Sequence, residues 1–338
     1  MSSGILIHVP ANPRIGTGNF LRSLTLANQW VAQGGHVTFV TSDLPGLLLR
    51  KVAMTGSKAR YLSNPLAGEA FAKRLCELAT EDSCHWIVTD DFNSALTQNI
   101  GRHKNPEQQL IVLGNATQGT CDLTTGSDPS FALIRKNLQT PPPYSFRKRQ
   151  RGGGGKGRHQ RCLIDLCGLG SEASANFLKS LIKRFTGTGI VFDIVTPFAT
   201  SASEQLNQQE AAIREFIFWH RNPDRVFQAL YAFDVAVLSR VADFYETAFC
   251  NLASLFVASD SFQQRDDLAG LTTVPWIQSC QEQWVDKTCE WIERMLASPT
   301  RRKKHAQEMD RLVDDQGSIR LVAAIRRGAS GVQRNRSA

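Results

Sequence analysis

Short apolar runs alternate with longer mixed segments through most of this chain. Ile5–Val9, His36–Thr41, Trp86–Thr89 and Leu110–Leu113 are brief, rich in β-branched residues and nearly continuous in hydrophobicity, which predicts buried strands of a parallel sheet. The segments between them are long enough for helices, and the first carries Phe20, Leu24, Ala27 and Val31 at near-helical spacing, so one face can pack on the sheet. The alternation stops at Pro141-Pro-Pro143 and Gly152-Gly-Gly-Gly155, a stretch that continues neither a helix nor a central strand. It then restarts with a strand over Cys162–Cys167 and a helix through Phe177, Leu178, Leu181, Ile182 and Phe185. Ile190–Thr196, Glu215–Trp219, Val235–Ser239 and Ser254–Ala258 follow as strands, with helices over Gln281–Leu296 and after Thr300. The expected organisation is a first α/β domain over 1–140, a Pro/Gly/Arg-rich linker over 141–160, a second over 161–326 and a basic flexible tail over 327–338. Parallel sheets facing a central cleft are the simplest arrangement, with ligands outside the carboxyl ends of the strands.

Each half opens with a strand, a glycine turn and a helix. Gly16 and Gly18 let the backbone turn sharply and approach a ligand, and the first amides of the following helix are donors for an anion. Gly168 and Gly170, followed by Ser171, repeat the device in the second half. Asn19 stands where a reactive side chain would sit and offers a neutral amide, which orients water without accepting its proton. His8 ends the first strand and Asp90 and Asp91 end a neighbouring one, so a carboxylate-paired imidazole is a weaker candidate base; hydrogen bonding at a strand end and helix capping are the structural alternatives.

Composition bounds these readings. The chain has 338 residues, 42% of them hydrophobic, and no apolar run approaches a signal peptide core or a membrane span of about 20 residues, so a cytoplasmic protein is expected. Eight cysteines form no C-x-x-C pair and no zinc-like cluster, which points to reduced thiols and no metal. The formal charge of +8 is concentrated in Arg147, Lys148, Arg149, Arg151, Lys156, Arg158 and Arg161. Charge so local, without interleaved aromatic residues to stack bases, argues against nucleic acid and leaves an anionic partner as the linker's alternative role. Trp276, Trp284 and Trp291 are expected to pack the late helices, and Arg301-Arg-Lys-Lys304 to form a solvated helix face.

Four segments carry a family resemblance. Ile15-Gly-Thr-Gly-x-x-x-Arg22-x-Leu-Thr-Leu-Ala27, Gly126-Ser-Asp-Pro-Ser-Phe-Ala-Leu-Ile-Arg135, the neighbourhood of Glu246 and Gln263-Gln264, and Gly317-Ser-Ile-Arg320 occur in the order found in the PseG/SpsG family, which this chain resembles as a divergent member. That family is similar to MurG, with the two-domain GT-B fold of Rossmann-like domains, and its known members hydrolyse a UDP-linked diacetamido trideoxy sugar without a metal or other cofactor. The resemblance implies Gly16, Thr17, Gly18, Arg22 and Phe92 on the sugar side, and Gly168, Gly170, Ser171, Arg240, Glu246 and Gln263 on the nucleotide side.

The chain departs from the family pattern at the reactive positions. Asn19 replaces a histidine thought to activate water, Asp90-Asp91-Phe92 replaces Asp-His-Tyr, Pro10 replaces an aspartate, and Arg240-Val-Ala-Asp243 replaces a Gly-Gly-Ser-Thr turn. Three functions are consistent with this pattern. One is a UDP-sugar hydrolase or glycosyltransferase of surface glycan or nonulosonic acid biosynthesis, although the substitutions argue against hydrolysis. Another is a catalytically silent member, a pseudoenzyme that binds UDP or a UDP-sugar, and the last is a scaffold that binds a partner enzyme.

Overall fold

The computed structural model describes residues 4–9, 18–41, 46–62, 68–90, 94–113, 121–125, 133, 159–166, 169, 171–195, 216–220, 226, 229–258, 277–279 and 283–334. They fall into two units. The first runs in order β1 (Gly4–His8), α1 (Gly18–Ala32), β2 (His36–Thr41), α2 (Gly46–Met54), β3 (Lys58–Tyr61), α3 (Gly68–Glu81), β4 (Cys84–Thr89), α4 (Ser94–His103), β5 (Gln109–Val112) and β6 (Leu123–Thr124). Its six strands are parallel in the order β3-β2-β1-β4-β5-β6.

Alternation along β1 sorts the core. Ile5, Ile7 and Val9 join Phe20, Leu26 and Trp30 of α1 and Leu48 and Val52 of α2 on one face. Leu6 points the other way, into Leu75, Leu78 and Ala79 of α3 and Leu96 and Ile100 of α4. α1 stops where Gly34 takes a left-handed φ of +79° and Gly35 N–H donates to the Trp30 carbonyl at 3.1 Å, a turn that a side chain at Gly34 would strain.

The second unit repeats the plan with β7 (Arg161–Asp165), α5 (Ser171–Phe185), β8 (Val191–Val195), β9 (Ile217–His220), β10 (Val235–Leu238), α6 (Val241–Phe249), β11 (Ser254–Ala258), β12 (Ile277–Ser279), α7 (Trp284–Ala297) and α8 (Pro299–Asp310). Its parallel order, β12-β11-β10-β7-β8-β9, has the same topology counted from its own first strand. Phe177, Leu181 and Phe185 of α5 and Trp291, Ile292 and Leu296 of α7 cover one face. Phe244 of α6 meets Phe256 of β11 with ring centroids 5.9 Å apart. α8 starts crisply because the Ser298 hydroxyl accepts from Arg301 N–H at 3.3 Å and Pro299 fills a position whose N–H has no helical partner.

One expectation about domain organisation is corrected. The C-terminal helix, α9 (Gly317–Arg334), belongs to the first unit instead of closing the second at 326, and it continues where a flexible tail from 327 was expected. Leu321, Val322 and Ile325 are buried in the α1 face of the first core, and the Arg326 guanidinium lies 5.0 Å from the Trp30 ring centroid. The linker positions 141–158 lie outside the described residues. No helix among the described residues is long and apolar enough to cross a membrane.

Candidate functional site

In a doubly wound sheet the crevice forms at the carboxyl ends of the two strands where the order reverses, here β1 and β4 in the first unit and β7 and β10 in the second. Each of these points carries a buried aspartate gripped by an arginine.

In the first unit the aspartate is Asp90, fully buried just after β4, whose N–H donates to the His8 carbonyl at 3.1 Å. Arg22 holds its carboxylate with both ends of the guanidinium fork, Nε to Oδ2 at 2.9 Å and Nη2 to Oδ1, while Ser23 Oγ donates to Oδ2 at 3.4 Å. Arg22 Nη2 also reaches the Leu113 carbonyl after β5 at 3.4 Å. Asn19 Nδ2 donates to the Asp90 carbonyl at 2.9 Å. The first two turns of α1 are thus strapped to the end of β4 by three side chains. Two of them, Asn19 and Arg22, are sequence-predicted site residues, and Gly18 opens the same helix.

His8 does not join them. Its ring turns to the α3 side, with its centroid 5.1 Å from that of Phe71 and Nδ1 3.4 Å from Thr89 Oγ1. Burial pushes its pKa down to about 4, so it is neutral near pH 7 and a poor proton acceptor. Gly16, Thr17, Asp91 and Phe92 lie outside the described residues.

In the second unit Asp165 ends β7 and is fully buried. Ser239, after β10, donates to its carbonyl through N–H at 2.9 Å and through Oγ at 3.2 Å. Arg240 Nη2 donates to Asp165 Oδ2 at 2.7 Å, and Arg240 Nε lies 2.5 Å from Asp243 Oδ2 in the first turn of α6. Glu246 follows one turn later and is buried. Arg240 therefore stands at this strand end, and Glu246 lies in the second turn of the helix that follows it. Gly168, Gly170 and Gln263 lie outside the described residues, and Ser171 opens α5.

Asp165 and Ser23 were missed by sequence reasoning. The available signal was a carboxylate at the end of an apolar run, Leu163-Ile-Asp165, matching Val88-Thr-Asp90 in the first half.

No family profile matches the sequence, and no curated protein matches it. Solved structures do resemble it along nearly the whole length. MurG from Acinetobacter baumannii superposes with a TM-score of 0.62 at 12% identity, covering 96% of this chain and 99% of that one. A glycosyltransferase from Rickettsia africae gives 0.62 at 10%, covering 99% of each chain. The UDP-GlcNAc 2-epimerase from Neisseria meningitidis, solved with UDP-GlcNAc bound, gives 0.60 at 10%, covering 96% of this chain and 100% of that one. At such identities the likeness is one of fold: the chain has the two-domain α/β fold of the GT-B glycosyltransferases.

Proposed function

We propose that this chain binds a nucleotide sugar, a UDP-sugar being the first candidate, in glycan biosynthesis. The observation that carries the reading is the pair of successive parallel sheets, each with its order reversal at a strand end furnished with polar side chains, in a fold whose relatives include a UDP-GlcNAc-bound epimerase and MurG. On this reading the glycine turn before α1, with Arg22 and Phe92, meets the sugar, and the β7–β10 end with Glu246 meets the nucleoside. The PseG/SpsG resemblance remains the finer family reading, with surface glycan or nonulosonic acid assembly as its setting.

Within it we favour a binder without hydrolase activity, because Asn19 has no basic site near neutral pH and commits one of its two amide N–H donors to the Asp90 carbonyl, while His8 is buried on the opposite side of the sheet. Titration calorimetry with UDP and UDP-GlcNAc, without added metal, tests binding; saturable one-to-one heat is expected, and none at millimolar ligand overturns the reading. An assay for released UDP tests silence: wild type is expected to give no turnover with UDP-GlcNAc or a UDP-linked diacetamido sugar. UDP release by wild type, lost in Asn19→Ala, would make it an active enzyme instead.

A further inference from the structure

Among the described strands four stand at sheet edges, and one of them is built differently from the rest. β3 is guarded by charge, with the Lys58 and Arg60 side chains 67% and 46% exposed along it. β6 and β12 offer only two and three residues. β9, Ile217-Phe-Trp-His220, is the outer strand of the second sheet and carries no lysine, arginine, carboxylate or proline.

Its side chains fix how it sits. Ile217 and Trp219 pack into the core that α5 and α7 cover, while Phe218 stands on the opposite face, 48% exposed, beside His220, whose Nε2 lies 2.7 Å from the buried Asp193 carboxylate. The backbone alternates in the plane of the sheet. Phe192 N–H of β8 donates to the Phe216 carbonyl at 2.7 Å, and Phe192 is in register with Ile217 and Ile194 with Trp219, so Phe216, Phe218 and His220 turn their backbone polar groups toward β8. Ile217 and Trp219 turn theirs outward, and among the described residues no hydrogen-bond partner meets them.

An open, uncharged edge of this kind pairs with another strand, and symmetry makes a second copy of this chain the occupant that fits. Around a twofold axis two β9 strands run antiparallel, and such pairing sets residues with outward backbone groups opposite one another. Ile217 of each copy then faces Trp219 of the other, which satisfies every outward group of the strand. The axis passes through Phe218 at a non-hydrogen-bonded position, where opposite Cα atoms lie about 4.5 Å apart and side chains are closest. Two half-exposed phenyl rings cover one another there. The same operation on β3 would bring Lys58 and Arg60 of two copies together.

We infer that β9 is a self-pairing edge through which two copies of this chain associate, with Phe218 on the twofold axis. About four hydrogen bonds and one aromatic pair make a small contact, so the association is reversible and concentration-dependent. It does not depend on the identity of the ligand.

The test is sedimentation velocity on the full chain from about 1 to about 200 μM, with Phe218→Lys beside wild type. Wild type is expected to shift from monomer toward dimer as concentration rises. Phe218→Lys alters an exposed position and is expected to keep the wild-type melting profile while weakening association by about tenfold or more. A second arm uses Phe218→Cys, which is expected to give on mild oxidation a covalent dimer mapped to position 218 in both copies, because a Cα separation of about 4.5 Å suits a disulfide. Met54→Cys, at a position 86% exposed in the first unit, controls for random encounter and is expected to cross-link at least about tenfold more slowly. A wild type that stays monomeric throughout overturns the inference, including one that instead retains an apolar extended peptide, since the edge then serves another protein. So does a dimer that a folded Phe218→Lys leaves intact, or one in which position 218 cross-links no faster than position 54. The cross-linking arm decides alone if the lysine variant does not fold.

Discussion

Buried histidines and paired aspartates set how this protein responds to acid. An unfolded imidazole titrates near 6.5, whereas burial holds His8 at about 4, and burial lowers His305 in the same direction. A group with a depressed folded pKa takes up its proton first in the unfolded chain, so its stabilising effect is complete above 6.5 and is lost as pH falls toward the folded value. For His8 that loss is about 3 kcal/mol by pH 4. The carboxylates act at lower pH. Asp82 is held down chiefly by its hydrogen bonds from Arg60; burial pushes Asp193 up, but His220 and Arg161 outweigh it and leave the carboxyl below its ordinary value of 3.8. Their contribution is present above that value and lost as pH falls through the folded pKa. The urea midpoint is therefore expected to drop in two stages, between pH 6.5 and 4 and again below 4. His8→Gln, which keeps a polar group beside Thr89 but has no proton to gain in this range, removes most of the first stage and leaves the share of His305. A variant with the wild-type profile would refute the assignment.

β1 shows how closely one strand is fitted to its surroundings. An added methyl at Gly4 would stand 2.6 Å from the Ser83 carbonyl and closer still to the His36 ring. Both are held: Ser83 sits in a left-handed turn with φ of 54°, and His36 Nε2 is 2.9 Å from the Asp82 carbonyl, so either one gives way at a cost. Gly4→Ala is expected to cost about 1–3 kcal/mol and lower the melting temperature by several degrees, read by thermal denaturation; an unchanged melt would mean that the strand end has room to shift. The fully buried strands were legible because a strand covered on both faces reads as a continuous apolar run, as in Ile5–Val9 and Ser254–Ala258. β3, Lys58–Tyr61, was not, because every residue of this edge strand is exposed and no hydrophobic pattern marks it. β6 and β12, of two and three residues, are too short to show any period. The candidate site divides the same way. Asn19 and Arg22 were legible as the start of a helix after a glycine turn, but the grip of Arg22 on Asp90, 68 residues away, exists only because the strand order sets β1 beside β4.

The chain crosses between its two units and then returns, which the local pattern of α9 does not reveal: an amphipathic helix has the same sequence signature whichever core it covers. Its return makes the first unit discontinuous. Leu321, Val322 and Ile325 are at most 2% exposed against the α1 face, and α9 adds the Arg326 contact with Trp30 and a 3.3 Å hydrogen bond to the Gln33 carbonyl at the end of α1. Truncating a buried Leu or Ile to Ala costs about 2–5 kcal/mol, so replacing all three residues removes an amount comparable to the whole stability of a typical domain, about 5–15 kcal/mol. Among the described residues, the second-unit core cluster that α5 and α7 form on their sheet includes none from α9. The triple variant Leu321→Ala, Val322→Ala, Ile325→Ala is therefore expected to lose amide protection in β1, β2, β4 and β5 while β7, β8, β10 and β11 keep theirs, as read by hydrogen exchange with mass spectrometry. A shortened chain ending at residue 314 should behave the same way. Wild-type protection in β1 and β4 of the triple variant would mean that the first core closes without this helix, and that the sequence-expected boundary at 326 describes the folding units better than the packing does.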